Sequence, residues 1–308
     1  MKTKLIINPR AANGKTRRIW PVLKSILAQK WPGAFDAEFT EYPGHATRLT
    51  HTALTQGYAC ILSVGGDGTL NEVLNGFFEN GTDRPLPGVL GVIEIGTGCD
   101  FARTIGMPTD PRAAVDYLIQ AQPVPTDVGR ARFQTLSGEE SVRYFINILD
   151  FGIGGAVVER VNRTSKALGA RITFLYGILA TLATYTNKTI EYRLDEADWK
   201  QARLNNFIVA NGRHFGGGLT PAPMARIDDG CFEIVLFGDI GRWQAVTNLS
   251  RLRKGTHLEN PLVTTAQART VVARSAEEVF IDMDGELVGK LPVTVEILPA
   301  VLPVLRQA

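Results

Sequence analysis

The sequence predicts an α/β domain built on a parallel sheet, followed by a second domain that is mostly antiparallel β. Three observations carry this. Over roughly the first 120 residues, short apolar runs alternate with helical patterns, the β-α-β-α order of a parallel sheet covered by helices. Past Pro123-Val-Pro125 the texture changes to short β-like runs interrupted by two helical inserts. Within the first part, the glycine-rich run Val64-Gly-Gly-Asp-Gly-Thr-Leu-Asn-Glu-Val73 joins a strand to a helix.

Taken in order, Leu5-Ile-Ile reads as the first strand and Ile19 to Leu27 as a helical stretch. The alternating segment Phe35 to Tyr42 follows. A helix from His45 to Thr55 places Ala46, Leu49, Ala53 and Leu54 on one face. Cys60 to Val64 reads as a buried strand, Leu70 to Phe78 as a helix and Val89 to Ile95 as another strand. In the second part the β-like runs are Phe145 to Leu149, Thr189 to Leu194, Asn206 to Ala210, Cys231 to Phe237, Val271 to Ala273, Val279 to Ile281 and Val293 to Leu298. Helical inserts lie near Ala156 to Tyr185 and Arg242 to Lys254. The expected domains are 1–126 and 127–308, the last segment being free to return to the first domain.

Composition narrows the function. With 33 Lys and Arg against 31 Asp and Glu, the net charge of +2 is too small to mark a nucleic-acid binder. The three isolated cysteines, Cys60, Cys99 and Cys231, match neither a disulfide framework nor a metal knuckle, so a cytoplasmic setting is expected. The apolar run Ile172 to Tyr185 is shorter than the roughly 20 residues a bilayer span needs, so no transmembrane segment is expected.

The glycine run carries the chemistry. Residues without Cβ let backbone amides approach a phosphate closely, and the following helix N-terminus favours an anion. The plain alternative is a tight strand-to-helix turn. A bare Asp67 would repel phosphate, so its place there points to a metal-mediated role or to hydrogen bonding with neighbouring groups. Neither a dinucleotide fingerprint nor a P-loop is complete: Gly66-Asp-Gly68 leads to Asn71, and Pro9 stands where the P-loop before Gly14-Lys15-Thr16 needs glycine.

Gly65-Gly-Asp-Gly-Thr-Leu-Asn-Glu-Val73, followed by Gly96-Thr-Gly-Cys-Asp-Phe-Ala-Arg103, resembles the catalytic domain of the diacylglycerol kinase family, especially its soluble bacterial lipid kinases. The likeness runs through Asn8-Pro9, Gly44-His-Ala46, Asp127-Val-Gly129, Phe145-Ile-Asn147 with Gly152 and Gly154, Asn211-Gly212, Gly216-Gly-Gly218, Asp228-Asp-Gly230 and Asp282-Met-Asp-Gly-Glu286. The glycine run alone also resembles the loop of NAD kinases, a related superfamily.

The resemblance implies a β-sandwich second domain and an ATP site in a cleft between the domains. It implies nucleotide contacts from Asn8, Pro9, Arg10, Ala11, Ala12, Thr40, Gly65, Gly66, Asp67, Gly68, Thr69, Asn71, Glu72 and Thr97. Asp229 matches a Mg²⁺-binding aspartate, with backbone oxygens of Arg226 and Cys231 as co-ligands, and Asp127 matches a metal-and-water network. Asp284 and Glu286 match the catalytic pair beside the acceptor hydroxyl, one of them the general base. Asp67 and Asp100 join them at the reacting end. For Asp284 the plain alternative is a surface Asp-Gly turn between strands, and for Asp100 and Asp127 an N-cap or turn.

A lipid kinase visits a membrane surface, and Lys15 and Lys166 match positions at the family's interfacial edge. Arg10, Lys15, Arg17 and Arg18 form one basic group, and Arg160, Arg163, Lys166 and Arg171 a second. A solvated face is the plain alternative, and the apolar run after Arg171 reads as a core helix. Cys99 stands where the family usually has asparagine, and Arg10-Ala-Ala12 lacks a Ser-Gly pair common there. The expected activity is therefore transfer of the γ-phosphate of ATP, with Mg²⁺, to a hydroxyl of diacylglycerol or a related lipid, at the inner face of the membrane. A homodimer stays open. NAD kinase and an inactive nucleotide- or lipid-binding regulator are the competing readings.

Overall fold

The computed structural model describes residues 2–79, 82–96, 98–163, 177–178 and 180–307. Two compact units emerge, one of residues 1–128 with 298–308 and one of residues 129–297.

The first unit is a helix-covered parallel sheet. Its elements are β1 (Thr3–Ile7), α1 (Ala11–Lys30), β2 (Phe35–Phe39), α2 (His45–Thr55), β3 (Cys60–Gly65), α3 (Asp67–Asn75), β4 (Val89–Glu94), α4 (Asp100–Thr104) and α5 (Pro111–Gln120). β1 pairs in parallel with both β2 and β3, and β3 pairs in parallel with β4, giving the order β2-β1-β3-β4. Every residue of β3 is buried, so the strand reads as a continuous apolar run. α3 starts at Asp67 and stops at Asn75, three residues ahead of the Leu70–Phe78 expectation at each end. The reason is that the turn is shorter than the glycines suggest: Gly66 is extended, at φ −117° and ψ −173°, and the chain is helical from the next residue.

In the order β2-β1-β3-β4 the chain reverses its direction of progress between β1 and β3. Ligands of such sheets gather at the carboxyl ends of the strands flanking that reversal. Here those ends are Asn8 and Gly65-Gly66.

The second unit follows β5 (Gln122–Gln134), which crosses from one unit to the other. It contains β6 (Glu140–Phe145), β7 (Ile148–Gly152), α6 (Ile153–Arg163), β8 (Lys188–Leu194), β9 (Lys200–Leu204), β10 (Asn206–Ala210), β11 (Phe232–Phe237), α7 (Arg242–Lys254), β12 (Val263–Ala268), β13 (Thr270–Arg274), β14 (Phe280–Met283) and β15 (Glu286–Arg306). Antiparallel pairing runs β12-β11-β10-β7-β14-β15, and β13 joins β15 to the β8-β9 hairpin. Alternate residues of the central strands feed two cores. Leu149, Phe151, Phe207 and Val209 enter the larger one, where Phe151 stacks on Phe207 at 4.6 Å between ring centroids. Ile148, Ile208 and Ala210 enter the smaller one on the opposite face. β15 ends by pairing in parallel with β4 through Val304 and Leu90, so the C-terminus is a strand of the first unit.

One expected strand is broken. The run Phe145 to Leu149 is not continuous: β6 stops at Phe145 and β7 starts at Ile148, because the amides of Ile146 and Asn147 turn to a carboxylate instead of a neighbouring strand.

Candidate functional site

At the carboxyl ends of β1 and β3, Asn8 ties the two strands together. Its backbone amide donates to the Val64 carbonyl at 2.9 Å, its side-chain amide donates to Thr69 Oγ1 at 3.0 Å, and its Oδ1 accepts the Arg10 amide at 3.0 Å. The glycines beside it serve different purposes. A Cβ on Gly65 would come within 2.5 Å of Thr69 Oγ1, so this glycine is required for the helix to fold back on the strand. A Cβ on Gly66 would meet nothing within 4 Å, so this glycine instead leaves an open approach to the backbone.

The Asp67 carboxylate is engaged by the start of α4. Its Oδ1 accepts the amides of Asp100, at 2.9 Å, and Phe101, at 3.5 Å, so the first turn of α4 takes up the negative charge. Hydrogen bonding to neighbouring groups, one of the two roles open for Asp67 in the sequence, is present here. Gly98 lies against Asp67, and a Cβ there would collide with its Oδ2. Asp100 is 5% exposed and forms an ion pair with Arg103 at 3.4 Å.

Glu94, at the end of β4, escaped the sequence reading. It is 5% exposed, and its Oε2 accepts the Ala102 amide at 3.2 Å. Burial, and then the charge of Asp67, push its carboxyl well above the usual range. The signal was an acid closing an otherwise apolar strand, Val-Leu-Gly-Val-Ile-Glu. Cys99 is buried, and burial raises its thiol to about 12, which leaves it unreactive.

The other residues expected in this region spread over several tasks. Thr40 closes β2 by donating its amide to Ile7. Asn71 is fully buried and accepts the Asn75 side-chain amide through both its backbone and side-chain oxygens. Glu72 points to α2, where its two oxygens accept the amides of Gly44 at 2.9 Å and Ala46 at 3.1 Å, capping that helix. From Pro9 the chain enters α1 through Ala12, Asn13 and Gly14, all in left-handed conformation at φ 50°, 55° and 79°. Arg10 and Lys15 are exposed. Asp127 is 1% exposed, and its Oδ1 accepts the Ala300 amide at 2.6 Å, fastening β15. Thr97, Lys166 and Arg171 lie outside the described residues, as do residues 172–176 and 179 of the Ile172–Tyr185 run.

In the second unit Asp284 and Gly285 form the two-residue turn between β14 and β15, both left-handed at φ 49° and 85°, the type I′ geometry that Asp-Gly favours. Gly285 is exposed, but Asp284 is 8% exposed, so the turn reaches the surface while its aspartate is buried. Its Oδ1 accepts the amides of Asn147 at 3.1 Å and Ile148 at 3.0 Å, and its Oδ2 accepts that of Ile146 at 3.2 Å. Three amides fix its orientation. Glu286 is exposed.

Two further acids lie behind this turn. Asp150 and Asp282 face each other across β7 and β14, each less than a tenth exposed. Burial raises Asp150 to about 7, while Asn206 and the Gly155 amide pull the other way. Burial, followed by the charges of Asp150 and Asp284, holds Asp282 well above the usual carboxylate range.

Asp229 is exposed and accepts the Cys231 amide at 3.2 Å, whereas the Arg226 side chain pairs with Asp228 at 3.3 Å. Glu233 lies near enough for the Asp229 charge, after burial, to raise its carboxyl. Two mutually repelling carboxylates beside loop carbonyls make an all-oxygen donor set that suits a hard divalent cation. Among the described residues, however, no group of three or more His, Cys, Asp or Glu is close enough to hold a metal by itself.

A parallel sheet with an open glycine turn at its reversal point, and a β-sandwich unit presenting amide-held acids, is the build of a kinase-type enzyme. Residues 2–131 match the diacylglycerol kinase catalytic domain, and residues 147–306 match the YegS C-terminal NAD kinase beta sandwich-like domain. The chain belongs to the diacylglycerol kinase family. It is 30% identical over 296 residues to the diacylglycerol kinase of Staphylococcus carnosus, spanning 94% of this chain and 90% of the relative. To that of Staphylococcus saprophyticus it is 29% identical over 297 residues, with the same two coverages. A solved diacylglycerol kinase of Bacillus anthracis str. Sterne superposes with a TM-score of 0.72 at 21% identity, covering 99% of this chain and 97% of that one. A second crystal structure from the same strain gives a TM-score of 0.79 at 24% identity, covering 99% and 95%. At these identities the structural likeness supports the fold.

Proposed function

We propose that this chain is an ATP- and Mg²⁺-dependent lipid kinase that transfers the γ-phosphate to a hydroxyl of diacylglycerol or a related lipid. The observation that carries the reading is the Gly66 turn. It sits at the reversal point of a parallel sheet, a Cβ would occupy its open side, and its one carboxylate is drawn off by the α4 amides. An anion can then approach the backbone while those amides hold the Asp67 charge. The names of the Staphylococcus relatives support diacylglycerol as acceptor.

On this reading Asn8 and the Gly65–Thr69 turn hold the nucleotide phosphates. Asp229, Glu233 and backbone oxygens of Arg226 and Cys231 hold Mg²⁺, which would neutralise phosphate charge when bound. Asp284, fixed by three amides, is the anion that orients the acceptor. Glu286, its exposed neighbour two residues on, is the carboxylate we assign to take the acceptor's proton, because Asp284 is already engaged by those amides.

The test is transfer of label from γ-labelled ATP, with Mg²⁺, to a lipid panel in mixed micelles and to NAD, with Asp284→Asn as control. Label on one lipid that vanishes in the variant is expected. Label on NAD would assign the chain to NAD phosphorylation, and ATP binding without transfer to any acceptor would make it a regulator.

A further inference from the structure

We propose that α7 docks the protein on an anionic lipid bilayer. The helix, Arg-Trp-Gln-Ala-Val-Thr-Asn-Leu-Ser-Arg-Leu-Arg-Lys, carries four cations, Arg242, Arg251, Arg253 and Lys254, and no carboxylate. One side of it is already used: Ala245 and Leu252 pack on the smaller core of the second unit, and Asn248 is buried. At 100° per residue, Trp243, Val246, Ser250, Arg253 and Lys254 fall within an arc of about 120° on the opposite side. Trp243 is 87% exposed, the most exposed large apolar side chain among the described residues, and Val246 is exposed beside it.

A neighbouring loop extends the patch. The Thr220 amide donates to the Leu252 carbonyl at 2.9 Å, and Pro223 lies against Gly255 at the helix end. This brings Met224, 68% exposed, beside the C-terminus of α7. The outer surface thus has a tryptophan near one end beside Arg242, and a methionine near the other beside Arg251, Arg253 and Lys254.

Exposing an indole to water is unfavourable, and the headgroup boundary of a bilayer is where an indole flanked by arginine and lysine is most at home. Charge decides between occupants. A second copy of the chain would bring the same four cations against these four, whereas an anionic leaflet attracts each of them. Backbone phosphates alone would satisfy the cations but would leave Trp243, Val246 and Met224 without an apolar partner.

The proposal rests on α7 and its surroundings, so it stands or falls independently of the kinase reading. The test uses the full chain without ATP or acceptor lipid, sedimented with vesicles of phosphatidylcholine alone or containing about 30% phosphatidylglycerol. Binding to the anionic vesicles only, lost in about 0.5 M NaCl, is expected. Trp243→Ala and the double variant Arg251→Glu/Arg253→Glu should each lower vesicle affinity about tenfold or more. Trp243→Phe should keep binding but lose the quenching of tryptophan fluorescence by brominated lipid. Far-UV circular dichroism and thermal midpoints matching the parent would show that these surface variants fold. Unchanged vesicle binding in both the alanine and the double variant would overturn the proposal. So would a dimer dispersed by Trp243→Ala, or retention of single-stranded RNA in place of vesicles.

Discussion

Asp67 and Asp284 are both carboxylates held by backbone amides, one in each unit, and they are held differently. Asp67 closes a strand and opens a helix, and its charge is taken up by the first two amides of a second short helix. Asp284 sits in a hairpin turn and is caught by three consecutive amides that a strand gives up in order to hold it. Each has buried acids for company, Glu94 in the first case and the Asp150–Asp282 pair in the second. Helix termini supply unpaired amides without cost to the fold, whereas a strand must interrupt its ladder to do so. The β6-β7 break is the structural cost of placing Asp284, which marks it as the more demanding of the two sites.

The largest expected effect tests that ranking. Asp284→Asn replaces an anion with an amide whose NH₂ would face three donors, so phosphate transfer should fall by about 10³-fold or more. Asp67→Asn, facing only two amides, should fall less. Initial rates for both variants, with circular dichroism to confirm folding, measure the difference, and equal losses would remove the distinction drawn between the two cradles.

The buried companions come next. Asp150 keeps its proton up to about 7 when folded, against an ordinary 3.8 in the unfolded chain. The folded state therefore binds more protons between those values, and the contribution of Asp150 to stability falls as pH rises from about 4 to about 7. Asp150→Asn removes that loss and should stabilise the protein at pH 8, with the gain shrinking towards pH 4. Urea unfolding at pH 4, 6 and 8 reads it. Glu94→Gln should act in the same direction in the first unit, because its carboxyl is also raised by burial.

Much of this architecture was readable in the sequence, and the exceptions share a cause. Apolar periodicity located β3, β4 and α2, where side-chain burial agrees with the backbone pattern. It overran the break at Ile146-Asn147, because two apolar-flanked residues give no sign that their amides are spoken for by a residue 138 positions away. Lys200–Leu204, a strand of mostly polar residues, was invisible to it for the opposite reason: pairing with β8 holds it, not burial. Glu94 lay inside the apolar run Val89 to Ile95, and Asp150 directly follows the run Phe145 to Leu149, although an acid in or beside such a run is itself the anomaly worth following. Glu72 belongs to the glycine motif, yet its contacts are with α2, which only the fold could supply.

The two glycines at the first cradle separate folding from binding. Gly65→Ala forces a methyl into Thr69 and should destabilise by about 2 kcal/mol, as overpacking does. Gly66→Ala should leave thermal stability within about 0.5 kcal/mol while weakening ATP binding about tenfold, since its methyl enters open space. Thermal denaturation and nucleotide titration on the same preparations distinguish them. A Gly66→Ala protein that binds ATP normally would take the phosphate away from this turn.

The smallest effect concerns the left-handed residues. Asp284 tolerates φ 49° because aspartate visits that region readily and Gly285 completes the turn. Ala12, at φ 50° on the way into α1, has no such help: its methyl crowds the following carbonyl, and its side chain forms no hydrogen bond. Ala12→Gly should remove that strain, offset in part by the entropy glycine gains in the unfolded chain, for a net stabilisation of about 0.5–1 kcal/mol. Asp284→Gly at the same dihedral should destabilise instead, because it discards three amide contacts along with the strain. Opposite signs in a matched pair of urea titrations would show that the hairpin conformation is held by the carboxylate and the α1 entry only tolerated; a stabilising Asp284→Gly would mean that the three amides contribute less than the backbone they constrain.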